Sequence, residues 1–401
     1  MKKTAIIGGG ASGLAAAVSA AGIPDNKVTV FERQQRVCRK LLATGNGRCN
    51  LTNIHASAAD YHGADVAFAA PALAAFSPEA VLALFSSLGL VTVTQYGGRV
   101  YPLSDSANSV ADILRYSCET RGVSFMTASP VMAILRSGGR FCVKTAEDSF
   151  LFDNVIVACG GMAGGKLGGT GDGYSLLSAL GHTRTKLYPA LVPISTENEY
   201  PRALKGIRCD AELSLIKKSS VIARSRGELQ FTETGISGPA AFDISRDAAL
   251  NDSCTVKIDF LADYSRDDVL ALLLQKQISL SNLQSGEILT GVLHNRLGRM
   301  LVKYSGADAQ LPISALSGKA LDKITSACKE FRLDVKGVGG FDAAQITVGG
   351  ISTKDFRADT LESRIVPGLY ACGEVLDIDG PCGGYNLQWA WASGFLAGRL
   401  G

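Results

Sequence analysis

The stretch TAIIGGGASGLAAAVSAAGIPDNKVTVFE, residues 4–32, decides the reading of the fold. Its opening TAIIG is a short apolar run with β-branched residues, which suits a buried parallel strand. GGGASG follows at residues 8–13, then the alanine-rich LAAAVSAA, a run of good helix formers. Gly22, Ile23 and Pro24 break that helix, and a second apolar strand, KVTVF, ends at Glu32. Strand, glycine turn, helix, strand and acid within about thirty residues form the dinucleotide fingerprint in its structural context. Gly8 permits the tight turn, Gly10 lets a pyrophosphate approach the backbone, and Gly13 lets helix pack on strand. Free N–H groups and the dipole at the helix start hold the phosphates. Glu32, nineteen residues beyond Gly13, is placed to accept from a ribose.

The start MKK with small apolar residues after it has the look of an export signal. Three consecutive glycines and Ser12 interrupt the apolar core such a signal needs, so that reading is set aside. With 401 residues the chain has room for two or three domains. A net charge of +3 supplies no strong basic field for nucleic acid or membrane, and excludes neither. No apolar stretch approaches the roughly 18–20 residues of a membrane span. Ten cysteines occur without C-x-x-C pairs, and with only four histidines there is no zinc spacing, so no metal site is expected. The composition suits a reduced, cytoplasmic protein with mostly buried thiols.

After Glu32 the chain turns basic and glycine-punctuated: RQQRVCRKLLATGNGRCNLTN, residues 33–53, reads as a loop closing over phosphates or a flavin. SPEAVLALFSSLG predicts a helix with Ser77 as N-cap and Pro78 at its first position. YGGRVYPLSD brings a hairpin-like turn with Arg99, Tyr101 and Pro102, and a further helix follows. DNVIVACGG is a strand delivering a second glycine cluster, with a helix starting near Asp172. No second G-x-G-x-x-G follows a strand, so no separate nicotinamide domain is expected. Residues 191–264 read as β-rich, 265–336 as helical and compact, and 337–344 as the return. An α/β nucleotide domain, 1–190 and 345–401, is thus split by an insertion.

The block VPGLYACGEVLDIDGPCGGYNLQWAWASGFLAGR, residues 366–399, is the second anchor. GLYACGE runs as a strand into Gly373 and Glu374, and a late strand of this kind brings an acid to the sugar-like chain of FAD. Gly380, Gly383 and Gly384 form a turn ahead of a helix at about 385–399. Its free N–H groups face an acceptor, and a helix start there stabilises the anionic edge of a reduced flavin by about 0.3–2 kcal/mol. Cys382, within that turn, is the first candidate for a proton donor, its thiol acidified by the helix start, and it also fits an inert small residue filling a tight turn. Tyr385, Arg99 and Glu233 are the alternatives. Arg99 with Tyr101 also fits a structural hairpin, Cys49 fits packing against a cofactor, and His182 fits a surface or capping residue.

RKLLATGNGRCNLTN, GGTGDGYSLLSALGH, FTETGISGP and GEVLDIDGPCGGYNLQWAWASG together resemble the HI0933-like flavoproteins, over essentially the whole chain. The resemblance implies a Rossmann-like FAD-binding domain of the glutathione-reductase type, split by an insertion with a β-barrel and a small helical subdomain. It implies FAD contacts from Gly8, Gly10, Ser12, Gly13, Glu32, Arg33 and Lys40. It also implies contacts from Gly47, Arg48, Gly160, Gly373, Glu374, Asn386 and Leu387. Two positions depart from the pattern: Cys38 where glycine is common, and Glu233 where many members have histidine. The family's activities are reductions of carbon–carbon double bonds, in one branch forming dihydrouridine in large-subunit ribosomal RNA and in another reducing bile-acid enones. Both place hydride on an electron-poor carbon and need an acid for its neighbour. The expectation is an FAD-dependent oxidoreductase with NAD(P)H as donor. Its substrate is a uridine in ribosomal RNA ahead of a small hydrophobic enone, with Lys205, Arg208, Lys217, Lys218, Arg224 and Arg226 as phosphate contacts. A flavin-stabilised RNA- or protein-binding module without turnover is the alternative from another class.

Overall fold

The computed structural model describes residues 1–197 and 199–401. Lys2–Ile7 is the middle strand of a five-stranded, all-parallel sheet. Asn26–Phe31 and then Ser124–Met126 lie on one side of it, Asn154–Val157 and then Leu369–Ala371 on the other. Ile6 stands opposite Val30 and Ile156, and all three are fully buried, as strands covered on both faces require. Helix Ala11–Ala20 is apolar all round, with Leu14, Ala15, Ala16 and Ala17 fully buried, so it is a core helix and not a surface one.

The helix Tyr385–Ala397 packs on that first helix almost backbone to backbone. A β-carbon on Gly394 would collide with the Ser12 carbonyl oxygen, and one on Gly398 would stand 2.5 Å from the Ala16 oxygen. Only glycine allows this approach. Ser19 Oγ donates to the Phe395 carbonyl at 2.9 Å across the same contact. Ser12 meets Gly394 and Ala16 meets Gly398, so the two helices run in the same direction.

The chain forms two compact units, one of Met1–Tyr188 with Gln345–Gly401, the other of Pro189–Ala344. The second unit contains a closed six-stranded barrel. Its strands are, in order around the wall, Ile194–Thr196, Gly235–Ser237, Ser220–Phe231, Arg208–Lys217, Thr255–Asp259 and Phe331–Val338. Helices Arg266–Ser279, Asn295–Tyr304 and Gly318–Lys329 are inserted between the last two strands.

Three expectations need correction. Residues 239–250 lie within the stretch read as strands, yet Pro239–Leu250 is a helix: Pro239 takes the first helical position after Gly238 at φ +96°, so a Gly-Pro that reads as a turn is a helix start. Phe331–Val338 lies partly within the stretch read as helical, yet it closes the barrel against Thr255–Asp259 and Ile194–Thr196. The strand ITV, Ile346–Val348, falls in the second part of the nucleotide domain, 345–401, yet it lies outside the five-stranded sheet, in a short two-stranded ladder.

Of the two readings of His182, surface or capping, the structure bears out the cap: it closes the end of helix Asp172–Ser178 and is not at the surface. It is buried, with Nδ1 at 3.0 Å from the Leu177 carbonyl, Nε2 at 2.8 Å from Ser363 Oγ, and its ring stacked on Phe356. Burial holds its pKa below the usual imidazole value of 6.5. A depressed folded-state pKa gives stability that is present above the unfolded value and lost as pH falls toward the folded one. The thermal midpoint is therefore expected to drop as pH is lowered through 6.5 toward acid, and the drop should be shallower in His182→Gln. Calorimetry of both proteins across that window checks it, and parallel pH profiles would refute the assignment.

Candidate flavin site

The glycine turn after the first strand is built by backbone sterics. Gly8 has φ +108°, and a β-carbon there would stand 2.5 Å from the Ala158 carbonyl oxygen. On Gly13 it would collide with the Gly8 oxygen. Gly10 is the opposite case, with no protein atom within 4 Å of a β-carbon position. Gly160, at φ +71°, faces equally open space. An open hollow in front of a helix N-terminus is what a pyrophosphate needs.

Around this hollow, side chains distant in sequence are tied together. Glu32 accepts from the Gly9 N–H through Oε2 and from the Gln34 N–H through Oε1, both at 2.8 Å, which aims the carboxylate and leaves lone pairs for hydroxyls. Lys40 Nζ meets Glu374 Oε2 at 2.7 Å, while Glu374 Oε1 accepts from the Thr347 N–H at 2.8 Å. Gly373 has φ +75°, and a β-carbon there would run into buried Ser12. Arg33 bridges Thr170 Oγ1 and Asp172 Oδ2, tying the basic loop to the start of helix Asp172–Ser178. Gly47 takes φ +85° in the loop that ends at Arg48. The Arg48 guanidinium is spent on protein, lying 4.2 Å from the Tyr101 ring centre and pairing with Asp105.

The second glycine turn leads into helix Tyr385–Ala397, with Gly383 at φ +118° and Gly384 at φ +106°. Asn386 holds this turn: its Oδ1 accepts from the Gly380 N–H at 2.9 Å, and its Nδ2 donates to the Gly380 and Pro381 carbonyls. That commits the side chain, so Asn386 and Leu387 have their first-turn N–H groups to offer a cofactor. Asn50 Oδ1, 3.0 Å from a β-carbon position on Gly384, is buried and has no hydrogen-bond partner among the described residues. An acceptor this deep normally has a donor. The N–H-bearing edge of a flavin ring would supply one. The helix register places the start of the closing helix about eight residues, or ~12 Å, beyond the start of the first. Two positive helix ends so separated suit the pyrophosphate and the ring of one FAD, and the residues present fit that cofactor.

Of the candidate proton donors, the fold brings Arg99 to the turn that carries Cys382 and Tyr385. Arg99 Nε is 3.4 Å from a β-carbon position on Gly383. Cys382 is half-buried, and the Tyr385 carbonyl accepts from Tyr61 Oη at 2.8 Å. Glu233 is corrected: it lies in the barrel unit, paired with Lys205 at 2.8 Å, and that cation holds its carboxyl below the usual range, which disqualifies it as an acid near neutrality. Cys49 is buried and burial pushes its thiol up to about 12, so it packs and does not react. Cys38 is buried at φ +63°, a left-handed conformation that glycine would adopt without strain. Asn50 and Asn53 were missed, because their roles depend on the distant glycine turn and no local signal marks them.

The family model for the HI0933-like protein Rossmann domain matches residues 2–400. The chain belongs to the HI0933-like family. It is 39% identical to the 3-dehydro-bile acid delta(4,6)-reductase of Clostridium scindens, over 100% of this chain and 98% of that one. It is 29% identical to the ribosomal RNA dihydrouridine synthase of Haemophilus influenzae, over 97% of this chain and 96% of that one. The solved 3-ketosteroid delta1-dehydrogenase of Sterolibacterium denitrificans superposes with a TM-score of 0.51 at 13% identity, covering 99% of each chain, a likeness of fold alone. As a member of this family, with an FAD-binding Rossmann-type fold, this chain is an FAD-dependent oxidoreductase.

Purified protein is expected to be yellow and to release FAD on denaturation. Gly10→Val should fold, since its side chain enters space free of protein atoms, and should be colourless, since that space is the phosphate's. Circular dichroism and the visible spectrum report the two properties separately. A folded, yellow Gly10→Val protein would sink the site.

Proposed function

We propose that this chain reduces a carbon–carbon double bond conjugated to a carbonyl in a small apolar polycyclic compound, with NAD(P)H as electron source. The observation that carries the reading is 39% identity to a bile-acid reductase along the full length of both chains, against 29% for the dihydrouridine synthase. Charge pairing supports it. Three cations expected to meet phosphate, Lys205, Arg208 and Arg226, face Glu233, Glu228 and Asp263 at 2.8, 3.6 and 2.6 Å. With half of its six expected phosphate contacts already facing carboxylates, this surface attracts a polyanion less strongly. The preference for RNA drawn from the sequence therefore gives way, and dihydrouridine formation remains as the second reading on the strength of the 29% relatives.

Bound FAD supplies the two-electron transfer. The chain's own share is placement and the proton. N–H groups at the start of Tyr385–Ala397 favour negative charge at the turn. Cys382 gives its proton to the carbon next to the one that receives hydride, and regains it from solvent. Among the described residues the ten cysteines form no disulfide, which suits a reducing compartment with NAD(P)H at hand, the cytoplasm. Among the described residues no single helix is long and apolar enough to cross a membrane.

Two measurements test this. In stopped-flow, Cys382→Ser should keep its FAD and its reduction by NAD(P)H, while reoxidation by a polycyclic 4-en-3-one slows about 10²–10⁴-fold. Cys49→Ser should instead lose FAD. Wild-type reoxidation rates in Cys382→Ser would remove the cysteine from the chemistry. For the substrate, ribosomal RNA from cells with and without the protein should show equal dihydrouridine by mass spectrometry. A difference there would move the assignment to RNA.

A further inference from the structure

The reading above leaves the substrate's own contacts unassigned, and one small sheet beside the glycine turn has the means to supply them. Thr52–Asn53, Arg99–Pro102 and Thr92–Thr94 form a three-stranded antiparallel sheet. Directly opposed residues share a face. The register therefore puts Asn53 and Arg99 on the same side as Tyr101 and Val93. The Leu103 N–H donates to the Val91 carbonyl at 2.8 Å, which carries Val91 and Leu103 onto that side as well.

Three properties set this face apart from an ordinary solvated hairpin. Its exposed side chains are mostly apolar, with Val91 62% and Leu103 63% exposed beside one polar residue, Gln95, and Tyr96 stands fully exposed at the tip. Outward positions of a solvated antiparallel sheet are normally polar. Arg99 is the sole charged residue in 90–103, LVTVTQYGGRVYPL, and among the described residues its guanidinium makes no ion pair or side-chain hydrogen bond. Finally, buried Asn53 clamps the hairpin tip to the flavin turn. Its Nδ2 donates to the Gly97 carbonyl at 3.0 Å and the Gly383 carbonyl at 3.1 Å, while its Oδ1 accepts from the His55 N–H at 3.0 Å.

We infer that this face is the substrate wall, in which Arg99 donates to the carbonyl oxygen of a conjugated enone, Val93 and Tyr96 cover its apolar rings, and Asn53 positions them against the turn. The inference rests on the enone reading above. An apolar polycycle with one carbonyl asks for extended apolar area and a single strong donor, and the hairpin offers that ratio. As hydride reaches the far carbon of the double bond, the displaced electron pair moves toward oxygen. A guanidinium there stabilises the developing charge. The pair returns when the near carbon takes its proton. An arginine cannot give up that proton near neutrality, so Arg99 holds oxygen and the acid is a different group. This changes the role of Arg99 from candidate donor to electrophilic anchor.

The test is equilibrium binding to the oxidised, FAD-loaded enzyme, followed by the flavin difference spectrum. The probes are androst-4-ene-3,17-dione and its 3-deoxy analogue, androst-4-en-17-one. Wild type should prefer the 3-ketone. Arg99→Ala should bind the ketone about 10–100-fold more weakly, with the 3-deoxy affinity unchanged, so that the preference disappears. Arg99→Lys should restore part of it. Tyr96→Ala, at a solvent-exposed tip and safe for folding, should weaken both probes about tenfold. Asn53→Leu, with the clamp gone, should lower the ketone preference while 3-deoxy affinity holds. Arg99→Ala with an intact ketone preference overturns the wall alone. Wild type that binds neither steroid overturns the enone reading and this inference with it.

Discussion

The contact between helix Ala11–Ala20 and helix Tyr385–Ala397 is the constraint on which the flavin unit depends. Gly394 and Gly398 let the two backbones touch along Ser12, Ala16 and Ser19, and this contact fixes direction and offset together. A larger residue at either glycine would push the helices apart and slide one positive end relative to the other. The chain between the pyrophosphate and the ring of FAD has a limited reach, so the distance between the helix ends is a property that the cofactor can read. The same contact brings Gly373 onto Ser12 and lets Trp389 Nε1 donate to the Gly373 carbonyl at 3.2 Å, so the acid-bearing turn follows the helices.

The ion pairs around the hollow belong to a different level of the design. Lys40–Glu374 and Arg33–Asp172 join segments far apart in sequence, but their side chains are a fifth to nearly a half exposed. Pairs of that kind add little to stability in water. Their contribution is orientation: Glu374, held by Lys40 and the Thr347 N–H, presents one arrangement of its oxygens. The deep restraints at the second turn are amides. Asn53 joins the Gly97 and Gly383 carbonyls and the His55 N–H, and Asn386 ties its own helix start to Gly380 and Pro381, each through both ends of an uncharged group, which costs far less to bury than a charge.

The parts of this protein legible from sequence are those set by local sterics. Gly8, Gly10 and Gly13 are separable by role because each answers a collision or an opening within one strand–turn–helix unit, and the periodicity of the flanking runs supplies the context. Parts set by distant pairing were not legible. Asn53 is one polar residue in a polar loop until Gly383, some 330 positions on, supplies its acceptor. Phe331–Val338 alternates buried and exposed residues at its start, as a strand should, yet it directly follows helix Gly318–Lys329 and borrows that helix's character. Glu233 looked available because sequence carries no sign that Lys205 stands 2.8 Å away.

The helix contact also sets an order of events. Ser19 and Phe395 are 376 positions apart, and the sheet edge Leu369–Ala371 comes nearly as late. A ribosome therefore releases the alanine-rich first helix long before its glycine-bearing partner exists. The whole barrel unit is synthesised between them and can close on itself first. Contacts of such sequence separation are slow to form, because the loop entropy is lost before any packing compensates for it. Flavin capture then waits until the helix Tyr385–Ala397 has emerged, and colour reports synthesis of that helix as much as possession of the motif.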